Sequence, residues 1–199
     1  MTTDAHVQPK LIPERPAMNW RNTTQRYGLL SIWLHWLMLL LLVAVYATIE
    51  LRGEFPKGSD ARELMKTWHF MLGLSVFALV WIRLVSHMTD SAPRIEPEPP
   101  RWQALIGKAM HGALYALMIG MPLLGWVLLS AGGEPIPFFG LHLPALVAES
   151  KTLAESVKEI HETGGNIGYF LIGLHAAAAL YHHYVTRDNT LLRMLPKWH

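Results

Sequence analysis

The 199-residue sequence contains no cysteine and few charged residues. Without cysteine, the chain has no disulfide, no thiolate ligand for zinc or an iron–sulfur cluster, and no covalent haem attachment. Charged residues make up only 16% of the chain and the net charge is +2, which does not suggest a nucleic-acid-binding protein. The hydrophobic content of 51% lies above that of an ordinary globular protein and favours a membrane protein in contact with lipid.

Four apolar segments are long enough to cross a hydrocarbon layer of about 30 Å. They cover approximately residues 29–51, 67–85, 107–130 and 157–184. The predicted fold class is therefore all-α, a bundle of four transmembrane helices. Pro122 is predicted to kink the third helix, and the proline-rich segment 86–103 to be an extended linker. Within the loop 131–156, an apolar stretch is predicted to lie against the membrane surface, followed by a short amphipathic helix.

The chain is predicted to have a polar arm and one membrane domain. Residues 1–26 are polar and contain three prolines, which predicts a flexible or surface-lying arm before a domain over residues 27–199. The next apolar segment is too long for a signal peptide. Of the 17 Lys and Arg residues, eleven lie on the side of the bundle that holds both termini. The positive-inside rule then predicts that both termini are cytoplasmic.

Four histidines within the apolar segments occur at matched depths. His161 and His175 are 14 residues apart, about 21 Å along a helix and within about 40° of the same face. His35 begins the first segment, at the predicted depth of His175, and His69 begins the second, at that of His161. A haem iron with two axial ligands needs two facing imidazoles. We therefore predict two haems, one between each pair.

Other roles for these residues stay open. A lone histidine in a transmembrane helix is more often a hydrogen-bond partner for a neighbouring helix. Zinc or a di-metal site is less favoured because carboxylates are absent at membrane depth. Glycines near the histidines are compatible either with a flat macrocycle against the backbone or with close helix contact. They are Gly73, Gly164, Gly165, Gly168 and Gly173.

Three more histidines are predicted near the cytoplasmic interface, where imidazole serves a quinone or carries protons, or simply faces lipid headgroups. They are His111, His182 and His183. His142, in the outer loop, is predicted to be a surface residue.

Four basic residues precede His69 in the outer loop: Arg52, Lys57, Arg62 and Lys66. These residues either create a positively charged entrance that attracts a small anion, or are ordinary solvated loop charges mixed with acidic neighbours. Haem propionates need cationic partners, for which Arg83 and Arg26 are candidates inside, and Arg62 or Lys66 outside.

Several segments resemble the bacterial cytochrome b561 family, namely SIWLHW, ELRGEFPKGSD, WHFMLG and above all GYFLIGLHAAAALYHHYVTRDNTLLRMLP. The resemblance covers about residues 27–196. It implies a four-helix protein of the bacterial inner membrane with two haem b and electron transfer to or from ubiquinone. Matched by motif, the implied haem ligands are His35, His69, His161 and His175. Members close to this pattern are superoxide oxidases, which take an electron from periplasmic superoxide, release dioxygen and reduce ubiquinone.

The favoured hypothesis is therefore an oxidoreductase that oxidises superoxide and reduces ubiquinone. The basic outer loop would steer superoxide, and the interfacial histidines would supply protons to the quinone. The alternative is a non-catalytic cytochrome b subunit that relays electrons from a partner dehydrogenase or hydrogenase to quinone. A haem-free transporter is a third interpretation, which an absorption spectrum without b-type bands would support.

Overall fold

The structure is a computed structural model that describes residues 19–196, and four long helices make up most of it. The helices are α1 (Leu29–Leu51), α2 (Asp60–Thr89), α3 (Arg101–Ala131) and α4 (Lys151–Tyr181). A short antiparallel hairpin, β1 (Pro137–Phe138) and β2 (Leu141–His142), lies between α3 and α4. The prediction of an all-α four-helix bundle is confirmed.

Length and composition allow α1, α2 and α3 to cross a membrane. The fourth helix is less apolar, because two histidines, an asparagine and four glycines interrupt its hydrophobic residues.

The helices α2, α3 and α4 begin earlier than their apolar segments suggested. The Ser59 hydroxyl accepts a hydrogen bond from the Arg62 backbone and so caps α2. Ser150 caps α4 in the same way through Leu153. The short amphipathic helix predicted before the fourth span is therefore the first part of α4. The helix α1 has the predicted bounds, and α3 continues through Pro122.

The first three helices share a compact apolar core. Met38 of α1, Val76 and Val80 of α2, and Met118 of α3 are buried against one another. By contrast, the α4 backbone packs closely against α3 alone, and the backbones of α1 and α2 lie further from it. The backbones of α1 and α2 are therefore set apart from α4, and side chains such as Tyr46, which donates to the Gly165 carbonyl at 2.8 Å, cross this gap.

The bundle has two ends, named here for what covers them. The hairpin end contains residues 52–59 and 132–150, and Ile136 packs there against Leu74 and Leu129. The terminal end contains residues 19–28, 90–100 and 187–196. The exposed loop tip at the hairpin end includes Phe139 and Leu141.

Hydrogen bonds tie the chain's two described extremities to the terminal end. The Trp36 indole N–H donates to the Met194 carbonyl at 2.8 Å. Arg21 forms an ion pair with Asp90 at 3.0 Å. The Asn22 side-chain oxygen accepts hydrogen bonds from the Gly28 backbone and the Ser31 hydroxyl. Residues 1–18 of the predicted arm lie outside the described residues.

Candidate functional site

At the hairpin end, His69 of α2 and His161 of α4 face each other. Their ring centres are 6.2 Å apart. The Nδ1 atom of His69 lies 3.0 Å from the Val45 carbonyl, which accepts its proton and leaves Nε2 free to bind a metal. A Cβ added at Gly125 would lie 3.4 Å from the His161 ring, so α3 approaches that ring closely.

At the terminal end, His35 of α1 and His175 of α4 form a second pair, with ring centres 6.3 Å apart. The Arg83 guanidinium Nη2 lies 3.0 Å from Nδ1 of His35. The His111 ring centre lies 5.4 Å from that of His175. These side chains line a cavity of about 160 Å³. Both pairs are those predicted from helix depth.

The spacing within each pair fits two ligands of one iron. A metal–imidazole bond is about 2.0 Å, so two rings bound on opposite sides of a metal have centres roughly 6.2 Å apart. Among residues 19–196, no group of three or more His, Asp or Glu side chains is arranged to hold a metal ion. A porphyrin supplies four ligands of its own and needs only a pair from the protein.

The glycines near the histidines fall into two groups. A Cβ at Gly168 would lie 2.1 Å from the Tyr46 hydroxyl, and one at Gly164 would lie 2.5 Å from the Met121 sulfur. These two glycines allow close contact between helices. A Cβ at Gly73, Gly165 or Gly173 would meet nothing within 4 Å, so close helix contact does not account for these three glycines.

The three predicted interfacial histidines do not gather in one place. His111 lies beside His175, whereas His182 is in a separate hydrogen-bonded group with the Asp188 carboxylate and the Gln103 amide. His183 packs edge-on against the adjacent Tyr184 ring. Of the three histidines, His182 is therefore the one that is hydrogen-bonded to a carboxylate.

Asp188 is a buried carboxylate at the end of the single π-helical turn His182–Thr186. Burial acts to raise its pKa, but hydrogen bonds from His182 and Thr190 outweigh burial and hold the pKa below the usual range. Asp188 is therefore an anion that lies beside the His182 ring.

The four basic residues of the outer loop have different partners. Arg62 donates to the carbonyls of Arg52 and Phe55 at 2.9 and 3.0 Å, so its charge organises the loop. Lys66 pairs with Glu63 at 3.0 Å. Lys57 is exposed, and Arg52 is partly buried. His142 is exposed in β2.

Among the residues proposed as propionate partners, only Arg83 faces the histidine pairs. Arg26 is bound instead to the Leu192 and Leu195 carbonyls. Sequence reasoning missed Gln103 and Asp188, and it also missed Arg193, which lines the same cavity as Arg83. Burial lowers the pKa of Arg193, against the opposing influence of Tyr27 and Asp188. No spacing rule connects these residues, because the C-terminal segment has no periodic pattern.

Comparisons with known proteins agree with this arrangement. Residues 26–197 match the family described as prokaryotic cytochrome b561. The chain is 44% identical over 172 residues to "Cytochrome b561 homolog 1" of Escherichia coli (strain K12), covering 86% of this chain and 98% of that protein. It is 38% identical over 173 residues to "Probable superoxide oxidase CybB" of Yersinia pestis, covering 87% and 97%.

A third relative, "Cytochrome b561 homolog 2" of Escherichia coli (strain K12), is 29% identical over 185 residues, covering 90% of this chain and 96% of that protein. The matched region includes all four helices and both histidine pairs. The chain therefore belongs to the prokaryotic cytochrome b561 family, whose members are membrane cytochromes that bind haem b and transfer electrons.

Proposed function

We propose that the protein oxidises superoxide to dioxygen at one face of the bacterial inner membrane and reduces ubiquinone at the other. The observation that carries this proposal is the presence of two facing histidine pairs at opposite ends of one helix, which suits a route across the bilayer. A relative with 38% identity is named a probable superoxide oxidase, which supports this reaction class.

The histidine pairs would each hold one haem b, His69 with His161 at the hairpin end and His35 with His175 at the terminal end. When bound, the two haems supply one-electron redox chemistry across the membrane. Two superoxide ions each lose one electron and leave as dioxygen. Ubiquinone takes up these two electrons together with two protons and becomes ubiquinol.

The terminal end is the side proposed to face the cytoplasm, with all four helices crossing the membrane. Among residues 19–196, eight of the 14 Lys and Arg residues lie at or near this end, which agrees with the positive-inside rule. The hairpin end then faces the periplasm, where superoxide would enter. Lys57 is exposed there and Arg52 partly so, and both contribute positive potential toward an approaching anion.

Protons for the quinone would come from His182. Its Nδ1 is hydrogen-bonded to the buried Asp188 carboxylate, and Gln103 lies 3.2 Å from its Nε2. This imidazole, placed beside the anionic Asp188 carboxylate, is the first proton donor that we propose. His111, beside His175, is the second proton donor that we propose.

A direct experiment tests the proposal. The purified, haem-loaded chain in lipid nanodiscs is mixed with superoxide and a short-chain ubiquinone, and both haem reduction and ubiquinol are measured. We expect reduction without any protein partner, and suppression by superoxide dismutase. Absence of ubiquinol at full haem content would overturn the assignment.

A second candidate function is a membrane subunit that receives electrons from a partner dehydrogenase or hydrogenase. The exposed apolar loop tip favours it, because Phe139 and Leu141 are 56% and 64% exposed and offer a docking surface. Haem that is reduced only when a partner protein is added would support this candidate over the first.

A further inference from the structure

The cavity at the terminal end is strongly biased toward positive charge. Two arginines, Arg83 of α2 and Arg193 of the C-terminal segment, contribute to its wall. Four histidines beside them add polar ring atoms, and no Asp or Glu is among the described residues that line it. A buried cation is costly unless an anion or several acceptors face it. Asp188 is close enough to act on the charge of Arg193, but it is hydrogen-bonded to His182 and does not line the cavity.

Four buried donor atoms in this wall have no hydrogen-bond partner among residues 19–196. They are Arg83 Nη1, Ser86 Oγ, Thr190 Oγ1 and Arg193 Nε. Ser86 and Arg193 are only 8% and 7% exposed, so their unpaired atoms face the cavity and not the outer surface. Buried polar groups in folded proteins are nearly always paired, and four unpaired donors in one cavity indicate a ligand rich in acceptor atoms.

From these atoms we infer that the cavity wall binds carboxylates, and we call it the carboxylate receptor. The carboxylates that it binds are the propionates of the haem held by His35 and His175. This inference rests on the proposed haem ligands. A guanidinium binds a carboxylate through two parallel hydrogen bonds, and hydroxyl groups complete the remaining acceptor sites. Arg83 is correctly placed because its other terminal nitrogen already lies 3.0 Å from the His35 ring.

The second arginine is held in position by the terminal end. The Arg193 Nη1 atom donates to the Pro93 carbonyl, and its guanidinium carbon lies 5.6 Å from the centre of the Tyr27 ring. The carbonyl of the next residue, Met194, accepts the Trp36 indole N–H. The C-terminal segment thus covers the receptor at this end of the bundle, and the helix before it, α4, contributes His175.

The test measures the midpoint potential of each haem in the full-length, haem-loaded protein. Removal of a positive charge beside a haem carboxylate stabilises the ferric state, so Arg83→Gln and Arg193→Gln should lower one potential and leave the other unchanged. Arg193→Lys retains the charge and should restore most of the potential. Arg101→Gln is the control, because Arg101 is exposed at the same end and does not line the cavity.

A second measurement covers variants that fail to retain haem. Ser86→Ala and Thr190→Val remove one hydroxyl each, and the rate of haem loss from one of the two sites should rise by about tenfold in the double variant. Arginine variants that keep both wild-type midpoint potentials would refute the receptor. If the arginine variants do not bind haem, hydroxyl variants that lose haem at the wild-type rate would refute it instead. His175→Ala that retains both haems would instead refute the proposed ligands.

Discussion

His69 and His161 face each other across the gap between α2 and α4, with ring centres 6.2 Å apart. The two residues are 92 positions apart in sequence, and the close backbone contacts of α4 are with α3. Their approach is therefore made by the imidazoles and not by packed backbones, which is the arrangement expected when a third group completes the contact.

On the proposed ligands, replacement of His161 by alanine should reduce the haem content from two per chain to one. The terminal-end pair is unaffected by this change, so one set of b-type absorption bands should persist. Haem is quantified per chain and reduced-minus-oxidised spectra are recorded. His142→Ala is the matched control, because His142 is exposed in β2 and faces no second histidine. Two haems in the His161 variant would contradict the proposed pairing.

Replacement of Gly168 by alanine should destabilise the bundle by about 1–3 kcal/mol, the usual range for overpacking. The added Cβ would lie 2.1 Å from the Tyr46 hydroxyl, which donates to the Gly165 carbonyl at 2.8 Å. Thermal unfolding in detergent measures the effect. Tyr46→Phe in the same chain removes the clashing atom and should recover part of the loss.

The control for that experiment is Gly107→Ala, because a Cβ there meets nothing within 4 Å. Its helix should be stabilised by up to about 1 kcal/mol, since alanine is favoured over glycine in helices. Equal unfolding temperatures for the two glycine variants would show that α4 does not pack on Tyr46 as described.

Replacement of Lys57 by glutamine should slow superoxide-driven haem reduction without loss of stability. Lys57 is exposed, so its contribution is long-range attraction, which salt screens. We expect a decrease of about two- to fivefold at low ionic strength that disappears at high salt. Stopped-flow absorbance at several salt concentrations measures it, and a salt-independent decrease would exclude steering.

Arg62→Gln provides the contrast to Lys57→Gln. Arg62 donates to two loop carbonyls, so its removal should loosen residues 52–59 as well as lower the reduction rate. Hydrogen exchange of this loop separates the two effects. Unchanged exchange in the Arg62 variant would mean that these hydrogen bonds do not hold the loop.

The C-terminal segment should loosen at acid pH because of Asp188. Its folded-state pKa is held below the ordinary value of 3.8, so its ionisation favours the folded segment above that value. This contribution is lost as the pH falls through the lower, folded-state pKa. Proteolysis of residues 187–196 between pH 5 and about 2 measures the change. Asp188→Asn should loosen the segment at neutral pH and remove this dependence.

The helices and the two histidine pairs could be predicted from sequence because both follow from local regularities. Apolar length predicts a span, and position within a span predicts depth, which is why His35 and His175 could be matched from their sequence positions alone. The polar start of α2 was predicted as loop, because its cap Ser59 lies well before the apolar segment, whereas the polar start of α4 was predicted as a short amphipathic helix.

The cavity wall at the terminal end could not be predicted in the same way. Ser86, Thr190 and Arg193 lie in two distant parts of the sequence and meet only after the C-terminal segment folds back. In irregular segments, hydrogen bonds position the side chains, such as the bond from the Glu96 backbone N–H to the Asn189 side chain. Such bonds produce no periodic pattern in the sequence. The same is true of Gln103, which reaches His182 from the start of α3.

The separation of α4 from α1 and α2 has a consequence for biogenesis. The chain forms two helical hairpins, α1 with α2 and α3 with α4, and each histidine pair takes one ring from the first and one from the second. If all four helices cross the membrane as proposed, each hairpin enters the bilayer as a unit, but neither provides both ligands for a porphyrin. On the proposed ligands, haem binding is the step that joins the α1–α2 hairpin to the α3–α4 hairpin. Cells starved of haem should therefore accumulate the chain in an open, protease-sensitive form.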